Sequence, residues 1–345
     1  MAWRHHGTMK TYFDERQRLH HPQREMHNGD WTAHVETHVR ADSICAAIGP
    51  LDRPADYGMA PLLAVHDAAY LEFLKTAFAE WRAAGRPGEA IGYSWPVVRR
   101  RPLDLDRIEA KLGRFSYDAG TPIGEETWTS AYWAAQCAVA AAEDLHAGAR
   151  RAFALCRPPG HHAGRDYLGG YCYLNNAAIA AEHLIRSGSR RVAVLDVDYH
   201  HGNGTQDIFY ARGDVGFVSL HGDPRTEYPF FWGHADERGE GGGTGANLNL
   251  PLPRGTDAPR YLGALEQGCA EISRWEPDHL VVSFGADTFA EDPISNFAIR
   301  TPEFAAIGAR IAALDLPTAV VMEGGYASEA LGRNVATFLN GLGEG

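Results

Sequence analysis

Four apolar runs in this chain stop abruptly at residues that bind metals or move protons. They end in Asp196, Asp198 and His200, in Asp287, in Gly324-Gly325-Tyr326, and in Pro158-Pro159-Gly160-His161-His162. Asp198 and His200 form a D-x-H step, and alternate residues of an extended chain share a face. A carboxylate and an imidazole suit zinc. Asp287 would complete an Asp-His-Asp set that leaves positions open for water and substrate, as a catalytic zinc requires. Any one of these residues could instead be a structural polar group at a strand end; three of them beside a double-histidine loop favour the metal. Histidine is matched to proton transfer near neutral pH, so His161 and His162 are candidates for taking a proton from water and returning one to a leaving group. Asp196 and Asn203 are natural partners for the two rings: a carboxylate favours the charged imidazolium and an amide does not. A His-His pair alone is a weak signal, and His20-His21 is another in the same chain. Tyr326 follows two glycines that let the backbone come close to a ligand. Its hydroxyl could donate to an oxyanion formed when water attacks a carbonyl; on its own it would be a half-buried aromatic after a tight turn.

The elements that must carry these groups alternate. Arg191–Val197, Val215–Leu220, His279–Phe284 and Thr318–Met322 read as strands, with Ala152–Cys156 a further short apolar run. The run at 191–197 is apolar without alternation, as a parallel strand covered on both faces should be. Helices are expected over Glu125–His146, Asn176–Ile185, Ala258–Arg274, from Thr301-Pro302-Glu303 to about Leu314, and over Ser328–Leu342. Such repetition implies a mostly parallel sheet with helices on both faces. Ligands of open parallel sheets bind beyond the carboxyl ends of the strands, so the polar residues should meet in one cleft. Residues 20–35 and 86–120 lack periodicity and are expected to be long loops. With no linker in view, 9–345 is expected to be one domain, and 1–8 an added or upstream extension.

Composition narrows the class. A chain of 345 residues with 22% charged residues and a net charge of −12 lacks the basic face that nucleic acid needs, and agrees with a cationic small-molecule partner. Five scattered cysteines without a CxxC suggest a reducing compartment and no zinc-thiolate cluster. With neither a signal-like start nor a run of about 18 apolar residues, a cytoplasmic protein with no membrane contact is expected.

Six segments resemble the histone deacetylase and acetylpolyamine amidohydrolase superfamily: RPPGHHA at 157–163, GGYCYLNNAAIA at 169–180, LDVDYHHGNGTQDIFY at 195–210, VSLHGDP at 218–224, GADTFAEDPI at 286–294 and MEGGY at 322–326. They occur in the family's order and spacing over roughly residues 9–340, and the wording of the third and fifth is closer to the acetylpolyamine branch. The resemblance implies an arginase-like α/β fold with an open sheet of about eight mostly parallel strands. It implies a deacetylase that releases acetate and a free amine from a small acetylated amine, with zinc (or iron in the cell) on Asp198, His200 and Asp287. His162 would then be the general base and acid, His161 on Asp196 would act electrostatically, and Tyr326 would polarise the carbonyl. A structural potassium ion would use Asp196, Asp198, His200, Ser219 and Leu220. Gly170, Tyr171 and Tyr228 would wall a narrow tunnel suited to a methylene chain, with Glu109 meeting a distal ammonium. Family members carry a second such acid at a position that is Gly120 here, and histone-type members have Asp in place of Asn203. The loops at 20–35 and 86–120 resemble those that build a homodimer or higher homo-oligomer and narrow the mouth. Rival readings are a deacetylase of acetyl-lysine in proteins or of another acetylated metabolite, a two-manganese ureohydrolase, which would need more ligands than are seen, and a non-catalytic binding protein.

Overall fold

A computed structural model describes residues 9–97 and 105–343. Residues 1–8, expected as an extension, and the middle of the 86–120 segment lie outside the described residues. In chain order the strands are β1 (Lys10–Tyr12), β2 (Arg24–His27), β3 (Asp30–Ala33), β4 (Arg151–Ala154), β5 (Val192–Asp196), β6 (Val215–Gly222), β7 (Asn247–Leu252), β8 (His279–Phe284) and β9 (Thr318–Met322). The helices are α1 (Val39–Ile48), α2 (Ala60–Val65), α3 (Ala68–Ala83), α4 (Ile108–Phe115), α5 (Thr127–His146), α6 (Asn176–Arg186), α7 (Asn203–Phe209), α8 (Ala258–Trp275), α9 (Glu303–Ala312) and α10 (Ser328–Leu342). Among the described residues none is long and apolar enough to cross a membrane.

Seven strands form one sheet in the order β1-β4-β9-β8-β5-β6-β7, and each neighbouring pair is parallel. This is the expected α/β arrangement, with seven strands in place of about eight. Successive strand residues point to opposite faces, and the two cores follow that rule. Val192, Val194 and Val281 belong to the layer filled by α2 to α6, whereas Ala193, Leu195 and Val282 belong to the layer under α1, α8, α9 and α10. Burial on both faces explains why these strands show no polar alternation.

Both segments expected as loops contain regular structure. Residues 20–35 hold the antiparallel hairpin β2–β3, with Met26 opposite Trp31. Its turn is Asn28-Gly29, with φ of 51° and 84°, the left-handed pair that a two-residue hairpin turn needs. The 86–120 segment holds α4. Both lie on the side of the sheet where the polar strand ends gather.

Candidate active site

β5 lies between β6 and β8 and ends at Asp196. The chain then bends, so Asp198 and His200 sit on a turn beyond the strand instead of on one strand face. Backbone amides fix that turn. Asp196 Oδ1 accepts from Asp198 N–H at 3.1 Å, Asp198 Oδ1 from His200 N–H at 2.8 Å, and Asp287 Oδ1, arriving after β8, from Tyr199 N–H at 2.9 Å. Gly324 N–H, after β9, donates to Asp198 Oδ2 at 2.8 Å. The ends of β5 and β9 thus meet on the Asp198 carboxylate, and the end of β8 is tied to the same turn through Asp287. One ligand atom each from Asp198, His200 and Asp287 lies within 4.8 Å of the others, and His200 Nδ1 is 3.0 Å from Asp287 Oδ2. A cation bound at about 2.0–2.2 Å from each ligand needs this spacing.

The electrostatics fit a cation as well. Asp198 and Asp287 are fully buried. Burial, and then the neighbouring Asp198 charge, push Asp287 up; burial would raise Asp198 too, but His161 and His200 hold it below the usual carboxylate range. Two carboxylates this close and this dry call for a positive partner.

Two further groups of potential ligands are less suited. His20, His34 and Glu36 converge in the interior, but Glu36 Oε1 is already bound by Arg40 at 2.7 Å and Arg157 at 2.9 Å. Those two charges balance Glu36 and oppose a further cation. In the group His161, Cys172 and Glu323, burial pushes the Cys172 thiol well above its ordinary value, so it offers no thiolate.

The histidine loop is pinned from below. Arg157 is 1% exposed and donates to Gln17 O and His20 O, both at 2.7 Å. Glu323 Oε2 accepts from Gly160 N–H at 2.6 Å and His161 N–H at 3.1 Å. Asn175 caps α6 through Ala178 N–H and donates to Ala163 O, both at 2.9 Å. The paired rings face the partners expected of them: His161 Nδ1 lies 2.9 Å from Asp196 Oδ2, and His162 Nδ1 lies 2.6 Å from Asn203 Oδ1. For His161, burial disfavours charge, but Asp196 and Asp198 outweigh it and raise the ring to about 10. Burial, then His161 and His200, push His162 well below the ordinary value. The Asn203 acceptor takes the His162 Nδ1–H, which leaves Nε2 bare, whereas the carboxylate of Asp196 favours the charged form of His161.

These groups close one end of a cavity of about 480 Å³. His162, His200 and Tyr326 lie at the deep end, Gly170, Tyr171 and Tyr228 on the walls, and residues of the β2–β3 hairpin at the mouth. Burial raises the Tyr326 phenol well above its ordinary value, which keeps it a hydrogen-bond donor. Its backbone N–H donates to Asp292 Oδ2 at 2.6 Å, and the Arg40 guanidinium lies 4.8 Å from its ring centroid. Gly170 has φ of 55° and Tyr171 of 65°. A Cβ on Gly170 would overlap the His162 ring, so this turn requires glycine.

The remaining expected residues divide. Ser219 pairs in register with Asp196 on β6, with Leu220 next to it and fully buried, so both stand behind the Asp-His-Asp set. Glu109 does not line the cavity. Its carboxylate, on α4, is taken by Arg86 and Arg107, and the Arg107 hydrogen bond leads in holding it down to about 2. Gly120 does line the cavity. Sequence reasoning missed Glu25, Arg40, Asp118, Asp292 and Glu323. Of these, Glu323 had a signal, since it lies inside the MEGGY segment, and Glu25 could have been found from the Asn28-Gly29 turn.

The comparisons with known proteins agree with this geometry. The chain matches the family described as Histone deacetylase domain over residues 24–342. It is 49% identical over 341 residues to acetylpolyamine amidohydrolase 1 of Pseudomonas aeruginosa, covering 96% of this chain and 98% of that protein. It is 45% identical to the acetylpolyamine amidohydrolase of Mycoplana ramosa, covering 97% and 99%. The crystal structure of an acetylpolyamine aminohydrolase from Burkholderia pseudomallei superposes with a TM-score of 0.93 at 46% identity, covering 97% of this chain and 99% of that one.

Proposed function

We propose, from the premise that the chain belongs to the histone deacetylase family, a specific assignment of its substrate, its metal and its working residues. The chain is a metal-dependent deacetylase. In our reading the substrate is an acetylated diamine or polyamine, the products are acetate and the free amine, and the metal is zinc, held by Asp198, His200 and Asp287. The observation that carries the reading is that His162, His200 and Tyr326 line one cavity, with His161 beside His162 and with the buried Asp198 and Asp287 grouped with His200. Similarity to proteins named for acetylpolyamines supports the substrate class.

When bound, the cation supplies Lewis-acid polarisation of the acetamide and acidifies a water molecule. The chain's own residues do the rest. His162 Nε2, bare because Nδ1–H is committed to Asn203, accepts the proton of the attacking water. The Tyr326 hydroxyl donates to the developing oxyanion, and His161, held by the Asp196 carboxylate, acts electrostatically close by. His162, protonated by the first step, then delivers its proton to the leaving nitrogen. Tyr171 and Tyr228 flank the methylene chain, whose burial contributes about 0.8 kcal/mol per CH₂. A potassium ion on Asp196, Asp198, His200, Ser219 and the Leu220 carbonyl belongs to the same reading, as does a domain spanning 9–345. The exposed Tyr93, Val97 and Phe231 support a homo-oligomeric contact.

The test is Tyr326→Phe. The variant should keep its metal and its fold and lose about 10²–10³-fold in kcat, the usual effect of removing one oxyanion donor. Near-normal turnover of acetylputrescine with metal bound would remove Tyr326 from this role.

A further inference from the structure

Tyr167 stands outside the cavity that His162 and Tyr326 line, yet it is built into the histidine loop. Its carbonyl accepts from Gly164 N–H at 3.0 Å, and its ring lies against Gly164, where a Cβ would overlap it. Its hydroxyl reaches two side chains of α7 that stand one helical turn apart, Asn203 and Asp207. The hydroxyl donates to Asp207 Oδ2 at 2.6 Å, and Asn203 Nδ2–H donates to the hydroxyl oxygen at 3.5 Å. At its other end Asn203 Oδ1 accepts from His162 Nδ1–H at 2.6 Å. A line of hydrogen bonds thus runs from Asp207, an exposed residue, to the ring of His162.

The line has a direction. The protein crowded round the Asp207 carboxyl raises it to about 6, so at pH 8 it is ionised and only accepts hydrogen bonds. The one hydrogen of the Tyr167 hydroxyl therefore points at Asp207, and the phenol oxygen turns its lone pairs to Asn203. The partners of an amide decide which way round it sits: here the NH₂ end faces a lone pair and the carbonyl end faces His162. The reversed amide would set its oxygen against the phenol oxygen with no hydrogen between them. It would also place the hydrogen of His162 on Nε2, the atom that has to be bare to take a proton.

We propose that Tyr167, oriented by Asp207, is a positioning residue that selects the tautomer of His162 through Asn203. The inference rests on the deacetylase reading and deepens it. Neither Tyr167 nor Asp207 lines the cavity, so their effect belongs to the proton-accepting step and not to substrate binding. A carboxylate at 203 would accept from Nδ1–H whichever way it turned. An amide there has two ends, and the Tyr167 hydroxyl tells them apart.

The experiment introduces Tyr167→Phe, which keeps the ring on Gly164 and removes the hydroxyl, into zinc-loaded protein with Asn203 and with Asn203→Asp. At pH 8, kcat for N-acetylcadaverine should fall about fivefold or more in the Asn203 protein, the effect of one neutral hydrogen bond on the population of the working tautomer, with KM little changed. In the Asn203→Asp protein the same substitution should leave kcat within about twofold. Nitrogen–proton couplings of nitrogen-15-labelled histidine, with the His162 signals identified by their loss in His162→Ala, should show hydrogen on Nδ1 in wild type and a mixture of Nδ1–H and Nε2–H in Tyr167→Phe. A fall in kcat of less than about threefold, or a His162 spectrum unchanged by Tyr167→Phe, overturns the proposal. An equal fall in both backgrounds, or a loss carried by KM, does so too, since Tyr167 would then act through packing. If wild type hydrolyses neither N-acetylcadaverine nor N-pentylacetamide, an uncharged acetamide of the same length, the deacetylase reading fails, and the ring spectra still decide the present proposal.

Discussion

His161 and His162 are neighbours in the chain with ring centroids 4.1 Å apart, and their pKa values are shifted in opposite directions, with a carboxylate as partner for one and an amide for the other. Asn203 thus does more than fill space: it fixes which nitrogen of His162 carries hydrogen and adds no negative charge that would protonate the ring. Gly324 illustrates a different constraint. A Cβ there would lie 2.5 Å from Asp287 Oδ2 and 2.6 Å from Asp198 Oδ2, closer than real Cβ contacts come, and the backbone N–H of the same residue holds Asp198. Gly324→Ala should therefore fold, since the clash is with carboxylate side chains, but bind its metal at least about tenfold more weakly, the lower end of the cost when groups that orient metal ligands are disturbed. Metal content after dialysis against a buffered chelator, with circular dichroism as the control for folding, checks this. Full retention of one metal per chain would show that the carboxylates can move aside at no cost.

At the scale of elements, the histidine loop depends on a helix end remote in sequence. His66 follows α2; its Nδ1 is 2.9 Å from Gly164 O, and its Nε2 accepts from Asn175 N–H at 2.9 Å. The second bond needs a bare nitrogen, so the ring must stay neutral, and burial pushes it down to about 4. The unfolded ring titrates near 6.5. Its folded value is depressed, so the stability it contributes is fully present above about 6.5 and is lost as the pH falls towards 4, up to about 3 kcal/mol. Urea unfolding at pH 7 and pH 4.5 should show wild type losing more stability than His66→Gln, whose amide offers one donor and one acceptor without titrating. Equal losses would assign the acid sensitivity to other groups. The parts legible from sequence are those where one physical signal dominates. β5, β8 and β9 are apolar runs cut off by polar residues, and that cut marks both the strand and the site. The β2–β3 hairpin was illegible as periodicity because Arg24, His27, Asp30 and Trp31 are exposed or half-exposed and give no apolar alternation; only Asn28-Gly29 marked it. That Glu109 stands away from its own chain's cavity was not legible, because resemblance fixes a position along α4 but not what Arg86, distant in sequence, does to its carboxylate.

For the molecule as a whole, the net charge of −12 and two carboxylates in the cavity wall give an approaching cation a favourable field. Salt screens that field, with a Debye length of about 10 Å at 0.1 M. For N-acetylcadaverine, kcat/KM should fall several-fold as potassium chloride, kept above the level needed for any bound potassium, is raised from low to about molar ionic strength, with N-pentylacetamide changing less. Stopped assays of both substrates across the series decide it, and parallel curves would remove long-range attraction from the account.

The strand order has a consequence for how such a chain comes into being. β9 joins β1-β4 to β8-β5-β6-β7, yet it is the last strand to be synthesised. A nascent chain emerging from a ribosome can assemble each half separately but cannot unite them until residue 322 has appeared. Gly324 and Tyr326 follow within four residues of that point. The loop that completes the catalytic pocket is thus made at the moment the two half-sheets can first be zipped together. Between the synthesis of β8 and that of β9 the chain exposes the unpaired edges of β4 and β8, a stage at which edge-to-edge association is a hazard.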